Sequence, residues 1–171
     1  MALPQFGSLV MEPALDHLDY FPPRVAQVLQ EWATVEPRVH QEVEVTTIDP
    51  AHSDTATLVE LYGLDTASSA NCVLVAGKRA GEERIAAVLV RANTRADVNG
   101  AVRRLLDVRK ASFLPQDQAV ELSGMEYGGI TPVGVPTAWR ILVDQRVIDG
   151  GAVLIGAGYR SAKLAAPGEL F

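Results

Sequence analysis

A dense run of glycine and proline restricts the fold of this chain more than any other feature. Residues 124–136 read Gly-Met-Glu-Tyr-Gly-Gly-Ile-Thr-Pro-Val-Gly-Val-Pro. Glycine permits positive φ and lets a ligand approach the backbone, whereas proline fixes its own φ and favours an extended residue before it. Such a loop is either a binding surface or an elaborate turn. It is longer than the roughly two to five residues that a hairpin turn requires.

The composition is that of one domain with an aliphatic core. The chain has 171 residues, of which 48% are hydrophobic and 6% aromatic. One hydrophobic core can serve a chain of this length. A core of Val, Leu, Ile and Ala is typical of sheets covered by helices. The composition therefore predicts an α/β or α+β fold.

The net charge and the few cysteine and histidine residues exclude several classes of protein. The formal net charge of −6 argues against a protein that coats nucleic acid by general attraction to phosphates. The lone Cys72 excludes an internal disulfide framework and a cysteine zinc cluster, and it fits a reducing cytoplasm. The three histidines, His17, His40 and His52, lack the neighbouring ligands of a helical metal site. We expect no metal and no other cofactor.

The sequence carries no sign of membrane insertion or secretion. No apolar run reaches the roughly 18 to 20 residues of a membrane span. The first residues lack a positive segment followed by an apolar block, so no secretory signal is predicted. We expect a cytoplasmic protein that binds neither membranes nor DNA.

Local patterns predict alternating helices and strands. Residues 1–37 are expected to form an arm and a helix (23–33), packed on a domain of residues 38–171. The remaining predictions are a strand over 39–47, a helix that Ser53 or Asp54 caps and Gly63 ends, a hairpin of 72–76 with 84–91, a helix opened by a Thr94 and Asp97 capping box, a strand over 111–114, a helix that Pro115 opens and Gly124 ends, buried strands over 140–143 and 152–155, and a last helical turn from Pro167. This order predicts a mixed sheet covered by helices.

Single residues offer weak chemical signals. Free cysteine is among the most buried residue types, so a core thiol is favoured over a nucleophile at Cys72. No serine lies in a Gly-x-Ser-x-Gly elbow, and the glycines at 156 and 158 lack the helix and acidic residue of a dinucleotide fingerprint. Asp144 is either a helix cap or an acid in a site, and capping is favoured.

Four basic residues lie close together near position 106. They are Arg103, Arg104, Arg109 and Lys110. Cations near a helix C-terminus interact favourably with the helix dipole, which is a structural explanation. The functional alternative is contact with phosphates.

Three segments together resemble the YbaK and prolyl-tRNA synthetase-associated domain family. They are the loop 124–136, the run Ile-Leu-Val-Asp ending at Asp144, and the run Val-Leu-Ile-Gly-Ala-Gly-Tyr-Arg ending at Arg160. The likeness covers roughly residues 39–171. It implies a mixed, partly barrel-like sheet flanked by helices. It also implies hydrolysis of the ester that joins a wrong amino acid to tRNA, and hence a role in translation fidelity.

The resemblance further implies a pocket against the glycine and proline loop. Asn71, Gly129 and Thr131 would be catalytic positions, since oriented amides stabilise an oxyanion when water or a ribose hydroxyl attacks the ester. The implied substrate-binding residues are Gly128, Ile130, Pro132, Gly134, Asp144, Gly156, Gly158 and Arg160. The implied contacts with tRNA phosphates are Arg103, Arg104, Arg109 and Lys110. The implied partners are the aminoacylated acceptor end of tRNA and, as a second candidate, an aminoacyl-tRNA synthetase.

One position departs from the family pattern. Relatives usually carry a lysine at the start of the central strand, where this chain has Ala70 or Asn71. An amide offers a neutral donor and acceptor, and charge-assisted hydrogen bonds are about twice as strong as neutral ones. Three functions remain open. The first is a deacylase acting in trans on mischarged tRNA, and the second is a weakened or inactive module that binds an aminoacyl adenosine, an amino acid or a protein partner. The third is a purely structural interaction domain.

Overall fold

The computed structural model describes residues 3–171, which form two four-stranded sheets. The strands are β1 (Glu12–Pro13), β2 (Glu44–Thr47), β3 (Ala70–Arg79), β4 (Glu82–Arg91), β5 (Ala111–Phe113), β6 (Arg140–Val143), β7 (Ala152–Gly156) and β8 (Ala162–Pro167). The first sheet has the order β1-β2-β8-β7 and is antiparallel throughout. The second has the order β5-β3-β4-β6, in which β4 and β6 are parallel and the other pairs antiparallel.

Helices cover these sheets, so the α+β class is confirmed. They are α1 (Pro23–Val35), α2 (Val39–Glu42), α3 (Thr55–Tyr62), α4 (Arg103–Leu106), α5 (Gln116–Ser123) and α6 (Gln145–Asp149). A π-helical turn, Val98–Val102, leads into α4, and short 3-10 turns fill several connections. Within residues 3–171 the two sheets do not close into a barrel.

The two sheets meet where β3 begins. Ser69, just before β3, forms a parallel bridge with Leu154 in the middle of β7. The main hydrophobic cluster lies across this junction and joins α1 to both sheets, through buried side chains such as Leu29, Leu89 and Leu164. The start of β3 is therefore held beside the end of β7.

The segment before α1 packs on the first sheet. Phe6 and Leu9 are buried in a second cluster with Leu58 of α3 and Ala165 of β8. The division of the chain at residue 37 stays a prediction, and residues 1 and 2 lie outside the described part.

Several helix ends and one turn follow directly from local chemistry. The Asp54 carboxylate caps α3 by accepting a 3.0 Å hydrogen bond from the amide of Thr57. Gly63 ends that helix with a φ of 66°, the left-handed conformation expected of a C-terminal glycine. The predicted hairpin is confirmed as β3 and β4, joined by Ala80 and Gly81, both with positive φ.

The strand predicted over 39–47 is wrong in its first half. Residues Val39–Glu42 form helix α2, and the strand begins at Glu44. Val39 in this helix is buried, and so is Val43, the extended residue between α2 and β2. Arg38 and Glu42 form an ion pair of 2.7 Å across the same turn.

The capping box predicted at Thr94 and Asp97 is also wrong in part. The Asp97 carboxylate does cap the following turn, accepting from the amides of Gly100 and Ala101 at 3.0 and 2.8 Å. Thr94 instead donates its hydroxyl to the carbonyl of Arg91. The helical segment therefore begins at Val98 rather than beside Thr94.

The C-terminal elements differ from prediction in two ways. β6 is an edge strand rather than a buried one, and Ile141 is 47% exposed. Residues 162–167 form β8, where no strand was predicted, because alanine is depleted in strands and gives little pattern. β8 is stable as a strand because it pairs with β2 on one side and β7 on the other. Pro167 ends this strand and precedes the 3-10 turn Gly168–Leu170.

The fold places a rigid contact at Gly158, which a matched pair of variants tests. Gly158 and Gly151 both have positive φ, but a Cβ on Gly158 would lie 2.6 Å from the ring of Pro22, whereas one on Gly151 would meet nothing within 4 Å. Overpacking of this kind costs about 1–3 kcal/mol. We expect Gly158→Ala to lose that much more unfolding free energy than Gly151→Ala in urea titrations. Equal losses would contradict the packing described.

Candidate active site

A cavity of about 350 Å³ lies where the two sheets meet. Its lining comes from the N-terminal end of α3, the first half of β3, the end of β5, α5, the loop 124–136 and the strands β7 and β8. The lining residues are Ser53, Asp54, Thr55, Ala70, Asn71, Cys72, Val73, Leu74, Phe113, Leu114, Ala119, Tyr127, Gly128, Ile130, Gly156 and Lys163.

The loop 124–136 rests on the end of β7 through direct backbone contact. The carbonyl of Gly129 accepts a 2.6 Å hydrogen bond from the amide of Gly158. A Cβ on Gly156 would lie 2.4 Å from the carbonyl oxygen of Ile130. Glycine is required at position 156 because any side chain would push the loop away from the strand.

The backbone amides next to this contact differ in whether they already donate a hydrogen bond. The amide of Gly129 is already used, donating to the carbonyl of Glu126 at 2.9 Å. The amides of Gly128 and Ile130 have no acceptor within residues 3–171, and both residues line the cavity. The donors available to a ligand are therefore those on either side of Gly129.

Three other residues singled out in this loop lie behind it. Thr131 is fully buried, and its hydroxyl accepts from the amide of Val133 at 3.4 Å. Pro132 and Gly134 are also buried, and a Cβ on Gly134 would lie 3.0 Å from the Cα of Val25 in α1. None of the three lines the cavity as described. Their contacts support the loop against α1.

Polar side chains gather at the N-terminal end of α3, which adjoins the loop: a Cβ on Gly128 would lie 3.2 Å from the hydroxyl of Ser53. Asn71 at the start of β3 accepts a 3.2 Å hydrogen bond from the hydroxyl of Thr55. The Asp54 carboxylate accepts from both the amide and the hydroxyl of Thr57. These hydrogen bonds hold the pKa of Asp54 below its usual range, so it is ionised at neutral pH.

Lys163 of β8 is a cavity residue that the sequence analysis missed. Its side chain is 8% exposed, and Nζ donates to the carbonyl of Ser53 at 2.9 Å. Burial lowers the pKa of Lys163 from 10.5 to about 8; the charge of Arg160 lowers it further and that of Asp54 opposes the shift. The sequence does hold one signal for this site, because Lys163 is the lone charged residue in the apolar run 162–166.

Cys72 lines the cavity but cannot serve as a nucleophile near neutral pH. Its side chain is half-buried, and burial raises the pKa of the thiol to about 12. The thiolate is the reactive form of cysteine, so the protonated thiol is part of the apolar wall.

Asp144 and Arg160 have structural partners outside the cavity. Asp144 caps α6 and forms an ion pair with Arg146, with Nε at 3.0 Å, which holds the pKa of this carboxyl below its usual range. Arg160 donates to the carbonyls of Tyr127 and Pro50 at 3.1 and 3.2 Å. Arg160 thereby ties the loop to the segment that precedes α3.

The basic cluster divides into two pairs. Arg109 and Lys110 line a groove that shares Phe113 and Leu114 with the cavity. Arg103 and Arg104 lie on α4 and line neither space, and Arg103 donates to the carbonyl of Asn99.

Comparison with known proteins identifies the family. Residues 49–170 match the model of the aminoacyl-tRNA editing domain, and the chain belongs to that family. No curated protein matches significantly. In the described residues, no helix has the length and apolarity to cross a membrane, and no three His, Cys, Asp or Glu side chains form a metal-binding group.

Solved structures share the fold at low sequence identity. Hypothetical protein APE2540 has a TM-score of 0.69 at 20% identity, covering 83% of this chain and 89% of that one. A candidate trans-editing enzyme for prolyl tRNA synthetase has a TM-score of 0.66 at 19% identity, covering 87% and 90%. A candidate signal transduction protein from Marinobacter aquaeolei VT8 has a TM-score of 0.55 at 21% identity, covering 88% of this chain and 28% of that one.

The buried charge of Lys163 should lower the stability of the protein. A pKa shift from 10.5 to about 8 corresponds to about 3 kcal/mol against the charged form, more than the roughly 1 kcal/mol of a typical hydrogen bond. We expect Lys163→Met to melt at a higher temperature than the wild type at pH 7. Lys163 loses its proton above about pH 8 in the native state but only above about 10.5 in the unfolded state. The wild type therefore gains stability over this range, and the difference between the two melting temperatures should shrink. A lower melting temperature at pH 7 would contradict it.

Proposed function

We propose that the protein is a deacylase acting in trans, which hydrolyses the ester of mischarged tRNA. The observation that carries the proposal is the cavity itself, whose described lining combines free backbone amides of the loop, an ionised carboxylate and apolar side chains. An aminoacyl ester combines a carbonyl, an ammonium and a side chain. The cavity offers a matching group for each.

The aminoacyl group would be held by charge and by apolar contact. Asp54, the acidic residue of the described lining, would accept the α-ammonium group. The side chain would contact apolar residues such as Ala70, Leu74 and Ile130. A volume of about 350 Å³ lies at the small end of ligand pockets, roughly 300–1,000 Å³, so a small side chain is favoured.

Water would be the attacking group. Cys72 is protonated and the Thr131 hydroxyl is buried behind the loop, so neither is available to attack the ester. The amides of Gly128 and Ile130 would donate to the carbonyl oxygen as negative charge develops on it. Preorganised donors of this kind are typical of acyl-transfer sites.

The acceptor end of tRNA would lie across the mouth of the cavity. Phe113 and Tyr127 both line the cavity and are 59% and 51% exposed, an arrangement suited to stacking of unpaired bases. Arg109 and Lys110 in the adjoining groove would meet the backbone phosphates. The net charge of −6 limits this to a few phosphate contacts. A synthetase is the second candidate partner, and the cytoplasm is the expected location.

A hydrolysis screen tests the proposal directly. Purified protein would be incubated with a panel of correctly charged and mischarged tRNAs, and loss of the ester would be followed. Acceleration on a mischarged member is expected, with Asn71→Ala several-fold slower. Tight binding of an amide-linked aminoacyl-adenosine analogue without turnover on any member would instead favour the binding module.

The exposed aromatic residues provide a separate test of the acceptor-end site. Stacking of one base is worth about 1–3 kcal/mol, so Phe113→Ala should raise KM for the tRNA substrate at least several-fold with little change in kcat. Leu105→Ala is the matched control, since Leu105 is 55% exposed and does not line the cavity. Equal KM values for the two variants would exclude a role for Phe113 in stacking.

A further inference from the structure

Lys163 is a buried cation that forms no ion pair within residues 3–171. Among the described residues that line the cavity it is the one basic side chain, and no carboxylate within residues 3–171 lies within ion-pair distance of Nζ. An ammonium has three donors, and one is used by the carbonyl of Ser53. Within the described residues the other two have no acceptor, and the side chain borders the cavity.

The contact with Ser53 does not explain a full charge at this position. A neutral donor could bond the same carbonyl, and burying a charge costs far more than burying an amide. Costly charges of this kind are typical of functional sites. A substrate group in the cavity would give this charge a function.

Lys163 belongs to the wall on which the loop rests. It pairs with Gly156 in the register of β7 and β8, and Gly156 in turn contacts the carbonyl of Ile130. Lys163, Gly128 and Ile130 therefore line one cavity from adjoining elements.

We infer that Lys163 is a catalytic residue whose ammonium contacts the carbonyl oxygen of the aminoacyl ester; this inference rests on the proposed function. As water adds to the carbonyl carbon, the C=O electron pair moves to the oxygen beside Nζ. The tetrahedral intermediate collapses and breaks the bond to the ribose oxygen. One proton of the water ends on that ribose oxygen, and the other is released when the product acid ionises.

Burial favours this role over a contact with phosphate. A phosphate of the acceptor end is charged and hydrated before it binds, so exposed cations such as Arg109 and Lys110 can bind it at the surface. Lys163 is 8% exposed, so it meets the part of the substrate that enters the cavity. Charges in such an environment act most strongly on charge that appears in the transition state.

The same arrangement predicts a pH dependence. The charged groups that act on Lys163 are Asp54 at the cap of α3 and Arg160 in the β7–β8 connection, while the nearby Cys72 thiol is neutral. The ammonium is the active form, so activity should fall as the pH rises above about 8, the pKa of Lys163. Lys163→Arg keeps its charge, and the residual activity of that variant should lack this fall.

The central experiment is single-turnover and steady-state deacylation by Lys163→Met on the mischarged tRNA that the wild type hydrolyses best. We expect kcat at pH 7 to fall at least about 100-fold, the effect of removing one oxyanion donor, with KM changed no more than a few-fold and no loss of thermal stability. Arg95→Met removes one exposed charge away from the cavity and should match the wild type. Rates over pH 6–9.5 would be corrected for spontaneous hydrolysis.

The outcomes separate the inference from the proposed function. Wild-type turnover that survives in a folded Lys163→Met protein would overturn the inference and leave the function standing. Absence of turnover by the wild type would contradict the function itself. The inference, which rests on that function, would fall with it.

Discussion

The contact between two stretches of bare backbone, the loop at Gly129 and the end of β7 at Gly158, holds the cavity together. Their 2.6 Å hydrogen bond fixes the loop on the first sheet. The bridge between Ser69 and Leu154 fixes the second sheet on the same strand. Because one attachment is made to β7 and the other two residues past its end, the loop and the start of β3 have a defined separation, and that separation is the cavity. A side chain at 156 would change it.

Arg160 reinforces this arrangement from the outside. Its guanidinium spans the carbonyls of Tyr127 and Pro50, and so joins the loop to the segment that leads into α3. Lys163 binds the same segment from the inside, through the carbonyl of Ser53, and so joins it to β8. Two cations thus hold the segment that leads into α3, but one lies outside the cavity and the other borders it.

Elements whose shape is set by neighbouring residues could be predicted from the sequence. Asp54 caps α3 and Gly63 ends it because capping is local chemistry. β8 could not be predicted, since its alanines carry little intrinsic preference and its stability comes from two partner strands distant in sequence. α2 was mistaken for a strand because Val39 in the helix and Val43 just after it are both buried, and a spacing of four residues fits both periods.

The residues predicted for the site fall into two groups in the structure. Asn71, Gly128, Ile130 and Gly156 line the cavity, whereas Thr131, Pro132, Gly134, Gly158 and Arg160 lie behind its wall. The motif alone cannot separate these groups, because residues that line the cavity and residues that support the loop are neighbours along it. Lys163 escaped notice for a different reason, since a residue on an unpredicted strand cannot be placed in any pocket.

The position of Lys163 also changes how the missing lysine of β3 is understood. Asn71 at the start of β3 and Lys163 on β8 belong to different sheets, yet they line one cavity because β7 lies between those strands. Electrostatic stabilisation depends on where a charge lies relative to the reacting atoms, not on which strand supplies it. A cation can therefore be lost from one strand and present on another without leaving the cavity. Asn71, bonded to the Thr55 hydroxyl, is a neutral group at the start of β3, so the described lining of the cavity holds a single ammonium.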